Sequence, residues 1–433
     1  MAKLIDREII PRIMDKIDSP EILLLVGARQ VGKTSAMHLI MNRLRERVNP
    51  QNIHFFDLED FRILELVNKG PAVFIHFLHS EYQISNMKQY LFLDEIQYAD
   101  NPSNFLKLIH DHHPQFKVVA SGSSTLSIRQ KFKDSLAGRK RVFQIHTLSF
   151  REFLIFRNQH KLAELLLPSI FVDIKTIQAI NWDRMRFHAD ELSGMFEEFA
   201  LYGGYPAVVL NHDKNDKVEL LLEIVGSYVR KDIKDLSRID NITGFNRLIQ
   251  LCAAQCSKLV NVAELSSTLG ISKQTIEKYL FLLENTFIIT LLLPYFTNKR
   301  KEITKMPKIY MQDTGLRNSI LSDFAPLGSR ADKGEIVENV VLSQLMKTKS
   351  SWTNIFFWRS LSKAEVDFVV KKDFLMPLEI KYRSFQNPSI SRSMRSFLQT
   401  YEPPYALVIT KDFADSKKYD NVLVHFIPSW LVS

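Results

Sequence analysis

The sequence predicts an α/β multidomain protein that begins with a doubly wound parallel sheet. Apolar runs of strand length recur near residues 23–26, 53–56, 90–93 and 117–120, and helical patterns separate them. Runs that are apolar on both faces are typical of parallel strands covered by helices. Three of the runs end in glycine or polar residues. Because ligands of such sheets bind at the carboxyl ends of the strands, we expect a binding site at that edge.

The loop after the first run reads Gly-Ala-Arg-Gln-Val-Gly-Lys-Thr and passes directly into a helical pattern. A strand, this glycine pattern and a helix are, in this order, the context of a phosphate-binding loop. The glycines let backbone N–H groups approach phosphate, and the helix N-terminus adds positive potential. Lys33 is expected at the β- and γ-phosphates, and Thr34 is expected to give its hydroxyl to Mg²⁺. The predicted cofactors are therefore ATP and Mg²⁺, bound by Gly27, Ala28, Arg29, Gln30, Val31, Gly32, Lys33, Thr34 and Ser35.

Polar residues at the ends of two later runs complete the predicted catalytic site. Asp94 and Glu95 end one run, and Ser121 and Ser123 end the next. Asp94 would hold Mg²⁺ directly or through water, and Glu95 would orient or deprotonate the attacking water. Ser121 or Ser123 would reach the γ-phosphate. The strand ends are thus expected to converge on one phosphate.

A basic segment follows, in which Arg139 is the first of three successive cations. Arg139 could contact the γ-phosphate of its own chain or that of a neighbouring copy, and the second arrangement would require a homo-oligomer. The alternative is a basic surface loop.

Composition and charge exclude few functions. The 433 residues carry a net charge of +9, so nucleic acid or another polyanion is a plausible partner, although a solvated basic surface gives the same number.

Cys252 and Cys256 lie four residues apart in a helical pattern, which favours core packing over a metal knuckle. The most apolar stretch, 279–296, is interrupted by polar residues, and the N-terminus has no signal-peptide core. We therefore expect a cytoplasmic protein without a membrane span.

Several further motifs, together with the glycine loop, resemble a large group of prokaryotic ATPases. These motifs are Leu-Asp-Glu-Ile-Gln at 93–97, Ala-Ser-Gly-Ser-Ser at 120–124, Leu-Ala-Gly-Arg at 136–139, Leu-Ser-Phe-Arg-Glu-Phe at 148–153 and Tyr-Gly-Gly-Tyr-Pro at 202–206. Members of the group carry an AAA-type P-loop core followed by a conserved domain of unknown function, DUF4143. The resemblance extends over nearly the whole chain.

The resemblance implies a helical lid after the core, in which Tyr205 and Pro206 lie near the adenine. A turn at a helix boundary is an equally good interpretation of these two residues. The group commonly has Arg-Asp where this chain has Lys231-Asp232. Lysine cannot make the forked contact of arginine, so a role of arginine at that point is in doubt here.

Residues 260–280 have the spacing of a helix-turn-helix. Gly270 falls at the turn, and Ser272 can cap the second helix. Two strand patterns follow, joined by a basic segment around 299–301, which predicts a winged helix. Lys273, Gln274 and Lys278 could enter a groove of double-stranded DNA while the wing binds phosphate. Contact with a protein partner is the alternative.

The last hundred residues combine a helix-borne acid with strand-borne acids and a lysine. Asp367 lies on one strand pattern, and Glu379 and Lys381 lie two apart at the end of the next. Side chains two apart share a strand face, so these three groups can meet. The arrangement resembles the restriction-endonuclease-like fold. The resemblance implies that Glu338 is the helix acid, that Asp367 and Glu379 bind Mg²⁺, and that Lys381 activates water. Binding without cleavage stays open.

The predicted organisation has four parts: an AAA-type core at 1–158, a helical lid at 159–240, a winged helix at 241–330 and a restriction-endonuclease-like domain at 331–433. Two hypotheses of function compete. In the first, ATP hydrolysis acts on DNA through the winged helix and the nuclease-like domain. In the second, nucleotide state is a switch that engages a protein partner, and the terminal domain is a non-cleaving binding platform.

Overall fold

The structure is a computed structural model that describes residues 4–82, 84, 87–122, 136–166, 177, 180, 182–228, 241–297, 305–349 and 352–432. The chain forms two compact units. The first holds the chain up to His146, and the second holds most of the chain from Thr147 onward. Within the described ranges, no helix is long and apolar enough to cross a membrane.

The first unit is built on a five-stranded sheet. Its strands are β1 (Ile22–Val26), β2 (Ile53–Asp57), β3 (Gln89–Asp94), β4 (Phe116–Gly122) and β5 (Lys140–Gln144). Its helices are α1 (Ile10–Met14), α2 (Lys33–Arg45), α3 (Phe61–Asn68), α4 (Pro71–Tyr82) and α5 (Pro102–His112). The strand order is β2-β3-β4-β1-β5, and all neighbouring strands are parallel. The predicted parallel α/β sheet is confirmed.

The register of this sheet brings three strand ends together. Leu25 of β1 pairs with Ser121 of β4, and Leu93 of β3 pairs with Ala120. The strands β1, β3 and β4 are buried along their whole length, as their apolar sequences require. The residues after β1, at the end of β3 and near the end of β4 therefore share one edge.

The second unit begins with helices. They are α6 (Phe150–Phe156), α7 (His160–Leu165), α8 (Trp182–Arg186), α9 (Ala189–Tyr202), α10 (Pro206–Leu210), α11 (Lys214–Ser227), α12 (Ile242–Ala254), α13 (Val262–Leu269) and α14 (Lys273–Asn285). Ser149 and Glu152 form a capping box that fixes the start of α6. A two-stranded antiparallel hairpin follows, made of β6 (Ile289–Leu292) and β7 (Lys308–Met311), and leads to α15 (Thr314–Leu321).

The second unit ends in a six-stranded mixed sheet. Its elements are α16 (Lys333–Thr348), β8 (Asn354–Arg359), β9 (Glu365–Lys371), β10 (Leu375–Lys381), α17 (Arg392–Tyr401), β11 (Tyr405–Thr410), β12 (Asp415–Tyr419) and β13 (Val422–Pro428). The order is β12-β13-β11-β10-β9-β8, in which β10, β11 and β13 are parallel. Beyond β6, the backbone near Pro294 pairs with Phe357 of β8. An isolated bridge thus links the chain just after β6 to the edge strand β8, and the hairpin and the terminal sheet remain separate sheets.

Candidate functional site

The phosphate loop has the backbone that its glycines allow. Gly32 has a left-handed φ of 92° and lies directly before α2. A side chain at Gly27 would overlap the carbonyl oxygen of Ile145, so only glycine fits there. Gln30 also has a positive φ, at 60°. The loop therefore presents its backbone next to the N-terminus of a thirteen-residue helix, an arrangement suited to phosphate.

Lys33, the first residue of α2, is buried within this loop. Its ammonium donates a hydrogen bond to the carbonyl of Ala28 at 3.0 Å and lies 3.9 Å from Oε1 of Glu95. Glu95 has a left-handed φ of 53°, and its carboxylate accepts a hydrogen bond from the Gln97 amide. The structure thus brings the predicted phosphate lysine and the predicted water-orienting carboxylate to one place.

Thr34, Asp94 and Ser121 form a hydrogen-bonded group at the same edge. The Thr34 hydroxyl donates to Oδ2 of Asp94 at 2.5 Å, and the Ser121 hydroxyl donates to Oδ1 of the same carboxylate. The backbone N–H of Glu95 donates to the Ser121 oxygen at 3.1 Å. Asp94 is only 2% exposed. A hydroxyl and a carboxylate in contact are hard oxygen donors, so Thr34 and Asp94 fit Mg²⁺.

An arginine without a recognisable motif also holds the phosphate loop. The Arg7 guanidinium donates to the carbonyl of Val31 at 3.0 Å and to the carbonyl of His146 at 2.9 Å. It is 7% exposed. Arg7 therefore ties the loop to the chain just after β5. Sequence reasoning missed it, because an isolated arginine 24 residues before its partner gives no local signal.

Arg139 forms an ion pair within its own unit. Its Nε donates to Oδ1 of Asp111 at 2.7 Å. Arg139 first, and then His110, lower the pKa of the Asp111 carboxyl to about 2. Contact of Arg139 with a γ-phosphate stays a prediction. Ser123 lies outside the described residues, as do Lys231 and Asp232.

Tyr205 and Pro206 lie in the second unit, at the start of α10. Pro206 is the first residue of this helix, where proline is favoured. The Tyr205 side chain is 1% exposed, and its hydroxyl lies 3.1 Å from that of Tyr228. The N–H of the preceding Gly204 donates to Asp313 at 2.8 Å. The helix-boundary interpretation agrees with these contacts, and a contact with adenine stays a prediction.

The helix-turn-helix segment consists of α13 and α14. Gly270 follows α13 with a left-handed φ of 66°, and the Ser272 hydroxyl accepts a hydrogen bond from the N–H of Thr275. Lys273, Gln274 and Lys278 are exposed on α14. The basic residues of the predicted wing, Lys299, Arg300 and Lys301, lie outside the described residues.

The four predicted nuclease residues lie on adjacent elements of the terminal sheet and α16. Glu379 and Lys381 form an ion pair at 2.9 Å. Asp367 accepts the backbone N–H of Ile380 at 2.7 Å. Glu338 lies close enough to Asp367 for its charge to raise the pKa of the Asp367 carboxyl. It also accepts the hydroxyl of Tyr310 at 2.5 Å.

Binding of Mg²⁺ by Asp367 and Glu379 stays a prediction. Among the described residues, no three His, Cys, Asp or Glu side chains come together as metal ligands would. Lys308 lies 3.3 Å from Oε1 of Glu338 and 2.6 Å from Oε1 of Glu365. A fixed lysine thus pairs with Glu338, which the resemblance made the helix acid, and with Glu365, which the sequence analysis did not single out. The resemblance could not reveal this contact, because Lys308 comes from the hairpin before the terminal domain.

Comparisons with known proteins agree with this geometry. An AAA domain family matches residues 19–154, a domain of unknown function (DUF8612) matches residues 193–327, and a domain of unknown function (DUF4143) matches residues 333–431. The first match contains the phosphate loop, Asp94 and Ser121. The third contains the terminal sheet.

Similar proteins cover most of this chain. An uncharacterized protein of Methanocaldococcus jannaschii is 29% identical over 375 residues, which are 85% of this chain and 75% of the relative. An uncharacterized protein of Haemophilus influenzae is 24% identical over 424 residues, which are 96% of this chain and 95% of the relative. A solved Walker-type ATPase of Pyrococcus abyssi is 15% identical, with a TM-score of 0.46, and covers 73% of this chain and 95% of that one.

Proposed function

We propose that this chain, an AAA-type P-loop protein with a C-terminal DUF4143 domain, binds ATP with Mg²⁺ and hydrolyses it. The observation that carries the proposal is the contact of Thr34, Asp94 and Ser121 beside Lys33 and Glu95. Each of these groups would have a separate task in phosphoryl transfer, and all of them lie at the edge of the sheet where the strands end.

The tasks follow from the chemistry of each side chain. Loop N–H groups and the Lys33 ammonium would bind the phosphates, since both are donors that can bind an anion. Thr34 and Asp94 would hold Mg²⁺, which neutralises charge that develops between the β- and γ-phosphates. Glu95 would orient the attacking water, and the Ser121 hydroxyl would keep Asp94 and the Glu95 backbone in place.

A lysine variant tests nucleotide binding. Lys33→Ala should weaken ATP binding strongly, because the loop loses the ammonium that is expected to contact the β- and γ-phosphates. Lys69→Ala is a matched control, since Lys69 is an exposed lysine of the same unit that pairs with Glu65. Equal ATP affinity of the two variants, measured by calorimetry, would refute the proposed site.

We further propose that the nucleotide cycle acts on double-stranded DNA through the helix-turn-helix. Exposed Lys273, Gln274 and Lys278 lie on α14, the second helix, and Ser272 and Gly270 set its start. The net charge of +9 agrees with a polyanionic partner. Glu277, also exposed on this helix, opposes the proposal.

Duplex binding at several salt concentrations tests this second proposal. Phosphate contacts release counterions, so duplex affinity should fall steeply as the salt concentration rises. The double variant Lys273→Ala/Lys278→Ala should lose about two phosphate contacts, so its affinity should fall less steeply with salt. Lys258→Ala, an exposed lysine outside this helix, is the control. A wild-type chain that binds no duplex at low salt would exclude this function.

The alternative function is a nucleotide switch that engages a protein partner without cutting nucleic acid. The pairing of Lys308 with Glu338 and Glu365 favours this alternative for the terminal domain, because the acids are already neutralised by the chain itself. Nucleotide-dependent protein binding that persists in high salt, together with no DNA affinity, would support it.

A further inference from the structure

Acidic side chains of the terminal domain surround a lysine that comes from the hairpin. Lys308 of β7 lies 2.6 Å from Oε1 of Glu365 and 3.3 Å from Oε1 of Glu338. The same oxygen of Glu338 accepts the Tyr310 hydroxyl. We infer that Lys308 is the resident cation of this acid cluster, and that the cluster therefore binds no divalent metal and cleaves no nucleic acid.

Lys308 and Glu338 are largely buried, whereas Glu365 is 30% exposed, so the charges of the first two must be balanced within the protein. The Lys308 side chain is 3% exposed, and that of Glu338 is 13% exposed. Burial lowers the pKa of Lys308, but Glu338, Asp367 and Glu365 together raise it above its ordinary value. Burial, followed by the charge of Glu338, raises the pKa of Asp367 to about 8. An unpaired buried charge is costly, so the lysine and the acids depend on one another.

The lysine is held in place by its backbone. Lys308 pairs with Leu292 across the hairpin and with Leu259 in a separate antiparallel bridge. Its ammonium also lies 5.5 Å from the centre of the Phe357 ring. Withdrawing the ammonium from the acids would therefore require the hairpin to move. A divalent metal would have to share these oxygens with a fixed positive charge.

A second lysine occupies the other half of the predicted metal site. Lys381 pairs with Oε1 of Glu379 at 2.9 Å. The other oxygen, Oε2, is buried and has no hydrogen-bond partner among the described residues. Glu379 therefore already carries a cation of the chain on one of its two oxygens. The described residues supply no group of three acids around it.

Metal binding to the full chain without nucleotide tests the inference. Mn²⁺ binding is followed by electron paramagnetic resonance, and unfolding is followed with and without Mn²⁺. The wild type and Lys258→Met, an exposed-lysine control, should show no Mn²⁺ site that depends on Asp367. Lys308→Met should unfold at a lower temperature and gain a Mn²⁺ site that the wild type does not show, because its acids then lack a cation. Asp367→Asn should abolish that gain.

A charge-balanced variant keeps the test decisive if Lys308→Met does not fold. Lys308→Met combined with Glu338→Gln removes one charge of each sign, so it should fold and bind no Mn²⁺. Two results would overturn the inference. One is a wild-type chain that binds Mn²⁺, or cuts duplex DNA with Mg²⁺, in a manner lost in Asp367→Asn. The other is Lys308→Met with wild-type stability and no gained Mn²⁺ site.

Discussion

Arg7 is expected to determine how well the phosphate loop is ordered before ATP binds. Among its contacts, Arg7→Ala removes the hydrogen bonds that the charged guanidinium donates to the carbonyls of Val31 and His146. Such bonds contribute about 1.5–3 kcal/mol each. Water can enter the space that the side chain leaves, so we take the lower end of the range, a total of about 3 kcal/mol.

The free energy lost in Arg7→Ala is divided between folding of the first unit and ordering of the loop. If half of it falls on the loop, ATP affinity should drop about tenfold, since a factor of ten corresponds to about 1.4 kcal/mol. Calorimetric titration with ATP and thermal unfolding measure the two parts. Arg43→Ala is the control, because Arg43 pairs with Asp6 on the surface. Wild-type affinity together with wild-type stability in Arg7→Ala would refute this reasoning.

Three further results are expected. Gly27→Ala should lose ATP binding, because its Cβ would overlap the carbonyl of Ile145, and an unchanged affinity would contradict the loop geometry. Thr34→Ala should lose the dependence of ATP binding on Mg²⁺ while Thr34→Ser retains it, a comparison made by titration with and without EDTA. Burial raises the pKa of Cys252 to about 12 and that of Cys256 to about 11, from an ordinary value of 9.0. The contribution of these raised pKa values to the stability of the folded state is complete below pH 9, and it is lost as the pH rises through the folded pKa values. At pH 8, a disulfide reagent should react with both thiols in denaturant and with neither in the native chain.

The parallel sheet and its phosphate loop could be predicted from the sequence because their signals are local. Each buried strand is a short apolar run, and Gly27 to Thr34 is a contiguous pattern with a backbone that only its glycines permit. The contact of Asp94 with Ser121 also follows, since parallel neighbours end at one edge. Local pattern and strand order were sufficient for this part of the site.

The contacts of Arg7 and Lys308 could not be predicted, because they depend on packing between segments distant in sequence. Arg7 bonds to a carbonyl 139 residues away, and Lys308 bonds to a carboxylate 30 residues away. Backbone carbonyl acceptors carry no sequence signal at all. The motif Glu-x-Lys indicated a metal site, but a motif does not show which cation the remaining chain already supplies.

The most direct test of the account is ATP hydrolysis by Glu95→Gln, measured in a single turnover after ATP has bound. Glutamine keeps the size of Glu95 and can still accept a bond from Gln97, but it cannot take a proton from water. We predict wild-type ATP affinity and a hydrolysis rate lower by at least about 100-fold. Glu65→Gln, an exposed control in the same unit, should hydrolyse ATP as the wild type does. Hydrolysis by Glu95→Gln at the wild-type rate would contradict the assignment of the site.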